Sequence, residues 1–110
     1  MGKNFHISLL LEYYRPLLTE KQRSLLDLYY NADLSLAEIA EEIGISRQGV
    51  RELIKKAGEE LTFYEEKLGL AKRFQQAQEQ AEHLISLMEQ SGVAGEVRDA
   101  ARELLETVGG

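Results

Sequence analysis

The chain has 110 residues, 44% of them hydrophobic and 29% charged, with a formal net charge of −6 and no cysteine. That length allows one domain with a modest core and a helical extension, and the missing thiols exclude disulfides and thiolate metal sites. A single proline among many Leu, Ala, Glu, Lys and Gln residues points to an all-α protein.

In chain order, Asn4 is placed to cap a first helix reaching about Tyr14, with Phe5, Leu9, Leu10 and Tyr13 on one face. Pro16 should end it, because a residue before proline, here Arg15, is biased away from the helical region. Thr19 with Gln22 fits a capping box, and the helix it opens should run to about Tyr30, burying Leu25, Leu26, Leu28 and Tyr29. Residues 31–33, Asn-Ala-Asp, read as a connection. Ser35 with Glu38 is a second capping box.

The stretch 36–56, LAEIAEEIGISRQGVRELIKK, reads as a helix-turn-helix. Ala40 permits close helix approach, Gly44 supplies the turn, and Ser46 caps the recognition helix. Ile39, Ile43, Ile45, Val50 and Leu53 are expected to lock the two helices together. The recognition helix looks long, since Val50, Ile54, Ala57, Leu61, Tyr64 and Leu68 form a heptad seam. Gly58 within it marks a bend or a close helix contact. Gly69 is the expected stop. Leu70, Phe74, Ala77, Ala81, Leu84 and Met88 then repeat the spacing in a fifth helix, which Ser91-Gly92 should break. Val97, Ala101, Leu104 and Val108 mark a sixth helix before a fraying Gly109-Gly110.

This organisation predicts about six helices: a core domain over residues 1–68 and a C-terminal helical extension over 69–110, packed on the core or on a second chain. Two long seams carrying Ala57, Ala77 and Ala81 predict a homodimer. An antiparallel hairpin of the fourth and fifth helices is the alternative. The longest uncharged apolar run, residues 5–11, is too short to span a bilayer. The N-terminus shows no secretory pattern, and His6 stands where a myristoylation signal carries Ser or Thr. No membrane association and a cytoplasmic location are expected.

The candidate binding residues lie on the exposed face of the recognition helix: Ser46, Arg47, Gln48, Arg51, Lys55 and Lys56. Arg47, Arg51 and Lys55 form a stripe at i, i+4 and i+8. Arg and Gln can read base edges, Lys suits phosphate, and Ser46 could add a phosphate contact at the helix start. Against a DNA-reading role stand the overall acidity and the acids Glu38, Glu41 and Glu42 on the first helix of the motif. His6 and His83 have no ligand spacing, so no metal or cofactor is expected. Tyr13-Tyr14 and Tyr29-Tyr30 could stack bases, though their positions at the ends of amphipathic helices favour packing. No nucleophile, base or phosphate loop of recognisable spacing appears, which argues against an enzyme.

Three motifs carry a resemblance: Leu17, Leu18, Thr19, Lys21 and Gln22 at the second helix start, the residues 28–36 connection, and Ser46-Arg47-Gln48. Together with FYEEKLGL at 63–70 they resemble the YlxM-like family of small helix-turn-helix proteins, over roughly residues 9–70. The same core is more loosely similar to region four of bacterial sigma factors. What the resemblance implies is a non-enzymatic bacterial protein regulating the signal recognition particle pathway through the particle's RNA, its GTPase, or both. This chain departs from the family pattern at Arg51-Glu52, where an aromatic-acidic pair is common, and at Gly49, where Ala is usual. The rival expectation is a dimeric, sequence-specific DNA-binding regulator.

Overall fold

In the computed structural model, which describes residues 3–109, the chain is all helical, and no strand occurs among the described residues. The six α-helices are α1 (Phe5–Tyr14), α2 (Glu20–Leu26), α3 (Leu36–Ile43), α4 (Arg47–Leu68), α5 (Leu70–Gln90) and α6 (Gly95–Gly109). A 3₁₀ turn, Arg15–Leu17, precedes α2, and a π turn, Asp27–Asn31, follows it. Two compact units result, Met1–Gly69 and Leu70–Gly110. The expectations for Met1-Gly2, for Gly110 and for the side chain of Val108 fall outside the described residues. No helix among the described residues is long and apolar enough to cross a membrane.

Capping chemistry sets the starts of the first unit's helices. Asn4 Oδ1 accepts the His6 amide at 2.9 Å. Both capping boxes close: Thr19 and Gln22 exchange bonds of 3.1 and 3.0 Å, and Ser35 and Glu38 exchange two of 3.1 Å. Each box satisfies two amides that a helix start leaves without partners. Gln22 also donates from Nε2 to Glu60 at 2.8 Å, tying the start of α2 to α4.

The chain does stop α1 at Tyr14, yet Arg15 keeps helical angles, φ −48° and ψ −46°. The pre-proline bias loses here because Arg15 is held in place. Its guanidinium grips Asp27 at 2.8 and 2.7 Å, and its carbonyl accepts Leu18 N–H at 3.1 Å. Arg23 Nη1 then donates to the Leu18 and Arg15 carbonyls at 2.6 and 3.2 Å. The bond from Arg15 is the main reason the Asp27 carboxyl titrates below the ordinary carboxylate range.

The second helix also ends differently from expectation, widening after Leu26 into the π turn. Ala32 N–H reaches Asp27 C=O at 2.8 Å and Leu34 N–H reaches Leu28 C=O at 3.0 Å. The extra residue in that turn leaves Leu28, Tyr29 and Tyr30 all half-buried, although consecutive α-helical residues point in different directions. Asp33 then takes φ +56°, a left-handed position that Asp tolerates better than most residues.

The core of the first unit lies between α4 and the three helices it packs against, α1, α2 and α3. Leu10, Leu11, Tyr14, Leu26, Ile39, Val50, Ala57 and Leu61 are all but fully shielded. The Tyr14 hydroxyl donates to Glu65 Oε1 at 2.5 Å, giving the buried ring a polar partner. On α1 the inward face is therefore Leu10, as expected, with Leu11 and Tyr14; of the other expected residues Leu9 and Tyr13 are half-buried and Phe5 is 84% exposed. The α4 seam holds from Val50 to Leu61 and is filled within the unit. Gly58 marks a close approach to α1: a Cβ built there would meet Ile7 at 3.8 Å.

In the second unit α5 and α6 pack on each other across the Gly92 turn, φ +68°. Arg102 pairs with Glu89 at 2.7 Å. Ile85 and Ala101 are buried and Leu105 half-buried, whereas the expected seam residues Leu84, Val97 and Leu104 remain exposed. Gly109, expected to fray, continues α6.

Candidate nucleic-acid interface

The motif at residues 36–56 folds as a helix, a tight turn and a second helix. Gly44 takes φ +79°, where a Cβ would be strained, and its N–H caps α3 by bonding Ala40 C=O at 2.9 Å. Ser46 Oγ accepts the Gly49 amide at 2.9 Å and starts α4. Ile39, Ala40 and Val50 are buried at the α3–α4 contact, as the pattern requires. Ile43 and Ile45 do not join them; they are 41% and 42% exposed, because the left-handed turn carries them to the rim. Position 49 is tight. A Cβ there would stand 3.2 Å from Ser46 Oγ and 3.4 Å from Ile45 Cδ1, so glycine suits the capped turn.

All six candidate residues are exposed, but the structure does not gather them into one surface. Arg47, Arg51 and Lys55 share the wall of a groove of about 750 Å³. The stripe they form is about 12 Å long at the helical rise. Gln48 lies on the next line of the helix, where its amide donates to Glu52 at 2.9 Å. Lys56 sits about 100° further round α4 than Lys55 and lines a separate cleft with Lys21, Leu25 and Leu53. Ser46 Oγ is engaged as a cap acceptor, which leaves its O–H free to donate.

The far wall of the groove comes from elements that sequence spacing does not connect with α4. It comprises Lys3 and Asn4, Tyr29 and Tyr30 from the π turn, and Ser35, Leu36 and Ala37 at the start of α3. Of these, Lys3 is a clip more than a free cation. Its Nζ donates to Tyr29 and Leu34 carbonyls, pairs with Asp33 at 2.9 Å and lies 4.2 Å from the Tyr29 ring centroid. Tyr29 and Tyr30 meet edge to face, with centroids 4.9 Å apart. Burial, and then the neighbouring Tyr29, pushes the Tyr30 hydroxyl's pKa up, so it stays a neutral donor. The tyrosines are thus half packing and half groove wall. Nothing in local spacing announces this, since the π turn that presents Tyr30 is set by tertiary packing.

Electrostatically the groove is cleaner than the composition suggests. Among the described residues, no carboxylate pairs with Arg47, Arg51, Lys55 or Lys56, whereas Arg15, Lys3 and Arg102 are each paired. The α3 residues that line it are Leu36 and Ala37, not Glu38, Glu41 or Glu42. Glu38 is occupied in its capping box, and the bonds from Ser35 hold its pKa down. An exposed row of unpaired cations beside a helix start and an aromatic wall is suited to phosphate and to a flat apolar group next to it. Among the described residues, no His, Asp or Glu cluster could hold a metal ion.

A family model described as "Putative helix-turn-helix protein, YlxM / p13 like" matches residues 1–99, well past the 9–70 over which the motifs alone carry a resemblance. The UPF0122 protein of Desulforamulus reducens is 43% identical over 109 residues, covering 96% of this chain and 93% of the relative. That of Clostridium perfringens strain SM101 is 42% identical over 109 residues, covering 98% and 97%. That of Clostridium kluyveri is 46% identical over 89 residues, covering 81% and 80%. With this helix-turn-helix geometry and these matches over nearly its whole length, the chain belongs to the UPF0122 family of YlxM-like helix-turn-helix proteins.

Proposed function

We propose that this protein is a non-enzymatic, cytoplasmic accessory protein of the signal recognition particle pathway, binding the particle's RNA, its GTPase, or both through the helix-turn-helix. The observation that supports a nucleic-acid role is the row of Arg47, Arg51 and Lys55, exposed and, among the described residues, without carboxylate partners along one groove. The pathway itself rests on the family resemblance. Ser46 and Gln48 flank the row as secondary contacts, whereas Lys56 lies on a separate cleft.

The test is a titration of labelled particle RNA, with a parallel pull-down of the purified GTPase, at micromolar protein and modest salt. Binding to at least one is expected. Arg47→Ala with Arg51→Ala should weaken RNA binding about tenfold or more and flatten its salt dependence by about 1.5 in log–log slope. Absence of binding to both partners rejects the reading.

The second reading is a dimeric DNA-binding regulator, favoured by the exposure of Arg47, Gln48 and Arg51 on the first turns of α4. It requires two such helices about 34 Å apart on one face of a dimer. Sedimentation as a monomer at binding concentrations, or duplex affinity unchanged by the double Arg variant, would exclude it.

A further inference from the structure

Next to the cationic groove a second one, of about 390 Å³, runs between α4 and the start of α1. The two share Asn4, Tyr30, Ile54 and Lys55, so they form one continuous channel along α4. Its chemistry changes along its length. At one end Arg51 and Lys55 have no carboxylate partner among the described residues. In the middle the floor is apolar, with Ile7 against the bare Cα of Gly58. At the far end Phe63 lies 53% exposed between Glu59 and Glu66, which line the same groove, while Lys67, 5.6 Å from the Phe63 ring centroid, does not line it. Phe5, adjacent in the chain to Asn4, is 84% exposed.

That order of charges selects the occupant. A polyanion drawn to Arg51 and Lys55 would next meet Glu59 and Glu66 and be repelled. An amphipathic helix meets all three zones favourably if its first turn is acidic, its stripe apolar and its last turn basic. This is also the charge order that a helix dipole favours. We infer that the α1–α4 channel docks such a helix from a protein partner, with acids on Arg51 and Lys55, an apolar anchor over Ile7, Gly58 and Phe63, and a base toward Glu66. The inference stands on the geometry of the first unit and does not depend on the nucleic-acid reading. Because Arg51 and Lys55 are shared, nucleic acid and helix would compete.

The probe is a fluorescein-labelled peptide of about four helical turns, with Glu in its first turn, Leu at three- and four-residue spacing, and Lys in its last turn. Anisotropy with the full chain should show saturable binding, about tenfold weaker for Phe63→Ala and for Lys55→Glu. Lys21→Glu, in the cleft that Lys56 lines on α4, should leave it unchanged. A peptide with its first-turn Glu replaced by Lys should bind wild type weakly and regain affinity for Lys55→Glu. Equal binding of the two peptides to wild type, or no loss on Phe63→Ala, overturns the inference. A fall in oligouridylate affinity on Phe63→Ala would also overturn it, by giving the channel to nucleic acid. Particle-RNA binding that survives Phe63→Ala but fails in Arg47→Ala separates this result from the proposed function.

Discussion

In Met1–Gly69 the long α4 is covered by α1, α2 and α3, and Val50, Ala57 and Leu61 see no solvent; in Leu70–Gly110, α5 and α6 cover each other and leave Leu84, Leu87, Val97 and Leu104 exposed. Both regions carry apolar residues at helical spacing. What differs is how many neighbours each helix has. Covering a broad apolar stripe takes flanking helices on two sides, and within the second unit each helix has only one. The first unit therefore has a core that can hold a site rigid. The second has a narrow contact built on Ile85 and Ala101.

The sharpest test of that contrast is a pair of truncations. Leu61→Ala, at a fully buried position, should cost about 2–5 kcal/mol and lower the melting temperature markedly, whereas Leu104→Ala, at 59% exposure, should cost less than about 0.5 kcal/mol. Equal losses in thermal denaturation would break the comparison.

A smaller effect concerns the α1–α2 corner. Asp27→Asn removes a bidentate bond between side chains that are 35% and 38% exposed, so solvent screening limits the loss to about 1 kcal/mol. The sign with pH follows from the lowered Asp27 pKa. Its contribution is present above the unfolded carboxylate value of about 4 and fades as pH falls through the lower folded value. Chemical denaturation of wild type and variant should converge in acid; a constant gap down to pH 2 would contradict the assignment.

Ser46→Ala should cost about 1 kcal/mol of local stability, visible as faster amide exchange in the first turn of α4, because the Gly49 amide loses its acceptor. The smallest change runs the other way. Gly58→Ala should gain up to about 1 kcal/mol, since the new Cβ meets Ile7 at an ordinary 3.8 Å. A drop in melting temperature would mean that α1 packs more tightly there than this spacing implies.

Caps and turns were legible because their chemistry is local. Thr19 with Gln22, Ser35 with Glu38, Ser46, Gly44 and Gly69 each act within a few residues, and each is found in that role or at that boundary. Faces were harder to read. The α1 pattern admits two neighbouring stripes that share Leu10, and only the contact with α4 selects Leu11 and Tyr14 over Phe5, Leu9 and Tyr13 beside it. The proposed site is split in the same way. The stripe Arg47, Arg51 and Lys55 follows from helical spacing, but its opposite wall of Lys3, Tyr30 and Leu36 comes from distant positions in the chain.

By itself, then, the sequence determined the six helices and their capped starts, the Gly44 and Gly69 stops, the helix-turn-helix and the line of cations on α4, because hydrogen-bond partners and helical periodicity act over a few residues. The tertiary structure alone decided that Arg15 stays helical beside Pro16, that α2 opens into a π turn, and that Lys56 parts company with Arg47, Arg51 and Lys55. Each of these depends on a partner far away in the chain or on another face of a helix, and periodicity carries no information about which neighbour will fill it.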